Sequence, residues 1–151
     1  MDKDIKGKNV NEEKVKGIIE QIRDKSSFSI VTIKEFAPPD AWAECIARYL
    51  GRDMKTTQLR KVFTQIKAME LKIKGQNEEE PFNDHDLYML IPYLAYAKAR
   101  DFIKDKFYDL IKIIIGDGER GKIRTVADFR RFSDFMTAVV AYHKQYSKKE
   151  G

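Results

Sequence analysis

The chain has 151 residues, 42% hydrophobic and 35% charged, a balance that excludes both a disordered composition and a membrane-embedded one. Its 29 Lys and Arg outnumber 24 Asp and Glu for a net charge of +5, and no apolar run approaches the ~20 residues of a spanning helix. Cys45 is the single cysteine, so a disulfide framework is excluded, and even with His85 and His143 a zinc cluster cannot be assembled.

The N-terminal Met-Asp-Lys-Asp-Ile-Lys-Gly-Lys has no apolar stretch behind its charges and no small-residue cleavage site, so it is not read as a secretory signal; the cytoplasm is the expected compartment. Residues 1–10 are read as a flexible N-terminus. Asn11, followed by two glutamates, caps a helix to about Asp24 whose Val15, Ile18, Ile19 and Ile22 keep the spacing of one buried face. Ser29 to Ile33 is β-branched but has no second strand to pair with, and is expected as an extended connector. Pro38 and Pro39 precede a short helix from Ala41 to Leu50, with Trp42, Cys45, Ile46 and Tyr49 on one face and Gly51 as the stop.

Thr56 or Thr57 caps the next helix, which carries Leu59, Val62, Phe63, Ile66, Met69 and Ile73 at helical spacing and ends near Lys74 and Gly75. Asp84 or Asp86 caps a run from Leu87 to Ala99 that is apolar on nearly all sides, which predicts a central helix; Pro92 inside it predicts a bend or a later start. The periodicity resumes through Phe102, Phe107, Ile111 and Ile114, as one long helix or two abutting ones, and Gly116 to Lys122 is a turn. Thr125 caps a last helix with Val126, Phe129, Phe132, Met136, Val139, Val140 and His143 on its apolar face, while Phe135 drifts toward a rim or a subunit contact. These elements predict an all-α fold, a compact bundle of about five helices in a single domain spanning 1–151, with an apolar surplus that favours self-association.

No motif argues for catalysis. Gly-Asp-Gly-Glu-Arg-Gly-Lys over 116–122 matches a dinucleotide fingerprint by letters only. It lacks the preceding strand and the second βα unit that build such a site, and Ile123 stands where a phosphate loop needs a hydroxyl. His85-Asp86 resembles a metal-dependent hydrolase dipeptide, but no further histidine ligands are at hand beyond His143, itself expected to be packed and satisfied on an apolar face. The expectation is no enzyme, no metal and no cofactor.

Charge is more informative, because it is unevenly placed. Between Arg52 and Lys74 seven basic residues face only Asp53 and Glu70; Gln76 to Asp86 then carries five acids and no Lys or Arg. A second basic stretch holds Arg120, Lys122, Arg124, Arg130 and Arg131. Two such segments on one surface would attract a polyanion.

Three segments in order carry a family resemblance: Lys55-Thr-Thr-Gln-Leu-Arg-Lys61 with Val62-Phe63, then Leu90-Ile-Pro-Tyr-Leu-Ala-Tyr-Ala-Lys-Ala-Arg100, then Phe132-Ser-Asp-Phe-Met-Thr-Ala-Val-Val-Ala-Tyr-His-Lys144. Over about Thr56 to Lys144 the chain resembles the small subunit of type III-A CRISPR effector (Csm) complexes. The resemblance implies a non-catalytic subunit of an antiviral RNA-guided complex, present in several copies. Its implied partners are crRNA and single-stranded target RNA, other Csm subunits and copies of itself, with no membrane. Lys55, Gln58, Arg60 and Lys61 match the start of one motif and Lys98 and Arg100 the end of the next, which makes them the candidate RNA-backbone contacts; Arg120, Lys122 and Arg124 are added on charge. The rival expectation is a homo-oligomeric interaction module with no RNA role.

Overall fold

The structure is a computed structural model that describes residues 2–116 and 121–147. Its elements run α1 (Asp2–Arg23), a 3-10 turn (Phe28–Ile30), α2 (Ile33–Phe36), α3 (Trp42–Leu50), α4 (Thr56–Lys72), α5 (His85–Ala99), α6 (Asp105–Ile115) and α7 (Val126–Ser147). The all-α class is as expected, but the described residues hold seven helices rather than about five. One addition comes from the expected connector. There Thr32 and Glu35 form a reciprocal capping box that starts α2, so local side-chain hydrogen bonding outweighs β-branching. The other comes from the break between α5 and α6. The first helix also begins at Asp2, not Asn11, which lies inside it; a good capping residue ends a helix only where the chain upstream departs from helical geometry.

α7 is the element the others cover. Phe129, Phe132, Phe135, Met136 and Val139 have no exposed surface. Phe28 meets Phe132 edge-on at 5.9 Å and Phe135 at 5.5 Å, Phe36 meets Phe135 at 5.5 Å, and Phe82 stacks on Phe129 at 4.3 Å. Phe135 is therefore core, not rim: the turn and α2 close over the side of α7 that helical spacing alone left open. On the opposite side α4 runs antiparallel to α7, with Thr56 Oγ1 donating to Ser147 Oγ at 3.0 Å, Lys67 Nζ to Ser133 Oγ at 3.2 Å, and Arg130 Nη2 to the Ile73 carbonyl at 3.2 Å.

α5, expected at the centre, is peripheral. It packs on α4 and α6 through Leu87, Leu90, Leu94 and Ala97, while Met89 and Tyr96 are each 61% exposed. Apolar content on all sides did not rank its burial, because α7 offers a row of larger aromatic side chains to α2, α3, α4 and the 3-10 turn. Pro92 lies on the exposed side and α5 continues through it.

Residues 121–125 stitch these parts together. Lys122 N–H donates to the Ile114 carbonyl and Phe28 N–H to the Lys122 carbonyl, both at 2.7 Å, and Phe82 N–H to the Arg124 carbonyl at 2.9 Å. Gly121 has no alternative there, since a Cβ would sit 1.9 Å from the Ile115 carbonyl oxygen. Thr125 caps α7 as expected, its Oγ1 accepting from Asp128 N–H at 3.2 Å. The buried Asp128 carboxylate in turn accepts from the backbone N–H groups of Ser29, Arg124 and Thr125 at 2.9, 2.9 and 3.1 Å. No helix among the described residues is long and apolar enough to cross a membrane.

Candidate nucleic-acid interface

α4 turns Leu59, Val62, Ile66 and Met69 inward, each no more than 1% exposed, which pushes its cations to the outer surface. The helix start has no side-chain cap and no acid in its first turn, and Lys55 occupies the cap position rather than Thr56 or Thr57. Thr56 is not available as a cap because its hydroxyl is turned to Ser147. The cations then divide along the axis. Lys67 bonds Glu70 at 3.0 Å, and Lys72 bonds both Asp84 and Asp86 at 3.1 Å. The side chains of Lys55, Arg60 and Lys61 are exposed and make no hydrogen bond or ion pair among the described residues, and Gln58 is half-buried beside them. The basic charge at the start of α4 is thus unneutralised, at a helix end whose dipole already favours an anion.

The end of α5 joins the same end of the molecule. Lys104, just past it, donates to the Tyr49 carbonyl at 3.1 Å and to Asp53 at 3.2 Å, with its ammonium 4.3 Å from the Tyr49 ring centre. That clamp fixes the α5–α6 turn against the α3–α4 turn from which Lys55 emerges. Lys98 is half-buried with its ammonium over Tyr108 at 4.9 Å. Arg100 is exposed; it makes no ion pair among the described residues, and its guanidinium lies against Tyr96 and Phe102.

Lys122 and Arg124 lie elsewhere and are employed by the fold. Lys122 Nζ donates to the Arg23 and Lys25 carbonyls at 2.7 Å each, satisfying the C-terminal end of α1, and Arg124 donates to the Gly121 and Ser26 carbonyls at 2.9 and 2.6 Å. They stand at the start of α7, whereas Thr56 meets its last residue. The two groups are therefore about 30 Å apart, the length of that helix at ~1.5 Å per residue. Arg120 lies outside the described residues.

The remaining candidates resolve into structure. His85 is the first residue of α5, and Asp84 caps that helix by accepting from Asp86 N–H at 2.9 Å. No group of three or more metal-ligating side chains occurs among the described residues. His143 is buried and donates from Nε2 to the Gly51 carbonyl at 2.9 Å. A groove of about 1120 Å³ between α1 and α6 has basic walls, but Lys16, Arg23 and Lys106 each pair with an acid on their own helix, Glu13, Glu20 and Asp109.

A family model described as Csm2 Type III-A matches residues 34–149. No curated protein and no solved structure gives a significant match.

Proposed function

Since the chain belongs to the Csm2 family, the small subunits of type III-A Csm complexes, we propose that it binds the RNA of that complex through the start of α4. The observation that carries this is the division of charge along α4, with Lys67 and Lys72 paired and Lys55, Arg60 and Lys61 left open. Three like charges over the first two turns of α4 repel one another, Lys55 at the cap also meets the positive end of the helix dipole, and a phosphate backbone relieves both. Arg60 offers a planar fork to phosphate oxygens, Lys55 and Lys61 offer point charges, and Gln58 can reach a ribose or phosphate oxygen. Charged and amide groups on an open helix surface suit phosphate and sugar contact, and sequence choice then falls to pairing between guide and target.

The role is one of holding and scaffolding rather than catalysis. Other Csm subunits and further copies of this chain are its protein partners in this reading. Ile30 and Ile33, each about half exposed on neighbouring turns, are apolar side chains that such a contact would cover.

Binding of a labelled single-stranded RNA across a salt series tests the site. Each phosphate contact adds about 0.7 to the log-log slope, so wild type should show a slope of about 2 or more, and Arg60→Glu with Lys61→Glu should remove most of it. Unchanged affinity and slope in that variant would overturn the assignment.

A further inference from the structure

Arg100 belongs to a cluster that backbone phosphate contact does not account for. α5 ends in a Schellman turn: Phe102 N–H donates to the Ala97 carbonyl and Asp101 N–H to the Lys98 carbonyl, both at 2.9 Å, with Asp101 left-handed at φ 62°. That turn folds Phe102 back beside Tyr96. Arg100 lies between them, its guanidinium carbon 5.6 Å from the Tyr96 ring centre and 5.0 Å from that of Phe102, and its Nη1 donates to the Tyr96 hydroxyl at 2.9 Å. Both rings face solvent, Tyr96 at 61% and Phe102 at 39% exposure. Two aromatic faces and a guanidinium plane are thus held in place by backbone hydrogen bonds and by one another, with no carboxylate paired to the charge among the described residues.

We propose that Tyr96, Arg100 and Phe102 form a stacking platform for the unpaired bases of a single-stranded RNA. This rests on the RNA-binding function proposed above and adds base stacking to backbone attraction. Planar aromatic and guanidinium surfaces accept any base by its face, so the platform is indifferent to sequence. It is selective for strands whose bases are free, because a duplex offers no open base face. The positive charge of Arg100 favours the electron-rich rings of bases and the neighbouring phosphate together. The clamp of Lys104 on Tyr49 and Asp53 places the platform at the same end of the molecule as Lys55, so one strand can engage both.

The test compares an oligoadenylate of about 20 nucleotides with an abasic strand of equal length, using the full chain and fluorescence anisotropy. Wild type should prefer the base-bearing strand by about tenfold, the yield of one or two stacked bases. Tyr96→Ala with Phe102→Ala should reduce the preference to about twofold or less while leaving the salt slope intact, and Tyr96→Phe should retain it. Ultraviolet crosslinking of oligoadenylate to the unsubstituted chain should label Tyr96 or Phe102, a readout independent of how the variants fold. A preference that survives the double alanine variant, no preference in wild type, or crosslinks confined to other segments would overturn the platform alone. Failure of wild type to bind either strand would overturn the RNA-binding function and the platform with it.

Discussion

His143 shows how a titratable side chain can serve packing instead of chemistry. Burial lowers its pKa, against the opposing influence of the backbone of Gly51 and Met54, so the ring is neutral in the fold. A histidine whose pKa lies lower folded than unfolded contributes its full stability above about pH 6.5 and loses it as the pH falls below that value, because the unfolded chain takes the proton first. The midpoint of thermal unfolding should therefore drop as the pH falls below about 6.5, and His143→Gln should flatten that decline in calorimetric scans. Asp128 acts in a lower window. Burial tends to raise its pKa, but the N–H groups of Arg124, Ser29 and Thr125 override it and hold the carboxyl below its ordinary value. Its contribution is complete above about pH 4 and disappears on further acidification. Asp128→Ala leaves three part-buried backbone donors without their carboxylate and should cost about 3 kcal/mol by urea denaturation at neutral pH.

Helix stops were more consequential than helix starts. The turn after Ala99 separates α5 from α6 and builds the Tyr96, Arg100 and Phe102 cluster, yet it is closed by an aspartate in the conformation usually left to glycine. Asp101→Gly should relieve that strain and raise stability by about 1 kcal/mol, visible as a higher melting temperature. The same residue explains why the sequence left one long helix and two abutting helices equally open: no glycine or proline marks the break. Where a glycine stands, at Gly51 and Gly116, the helix ends there as expected, with φ 48° and 59°. The inward face of α4 was legible from Leu59, Val62, Ile66 and Met69, and so was the exposure of Arg60 and Lys61, since both follow from a period of 3.6. Which cations are neutralised was not, because Lys72 meets Asp84 and Asp86 across a loop, and Lys122 meets the carbonyls of Arg23 and Lys25 from the far side of the chain. Phe102, read as part of the apolar period leading into α6, instead lies in the turn before it and is partly exposed, and its pairing with Tyr96 was not anticipated, though Tyr96 and Arg100 stand four apart on a helix, the spacing at which side chains touch.

Across the molecule, cations divide into those left open and those built into the fold, and the division has an experimental signature. Lys122→Met removes the hydrogen bonds that finish α1 and should cost about 1–3 kcal/mol of stability while leaving the RNA salt slope unchanged, the reverse of the Arg60 and Lys61 charge reversal. Paired denaturation and binding curves for the two variants check both halves at once. A different consequence comes from the order of the elements. The helices and turns that bury the aromatic row of α7 all precede it in the chain. During synthesis the apolar faces of α3, α4 and the Phe28 turn leave the ribosome before the surface they cover exists, and they stay open until Ser147 has emerged to meet Thr56. A nascent chain stalled before Val126 should therefore stay sensitive to protease and prone to aggregate, and folding should complete only after translation has passed the end of α7.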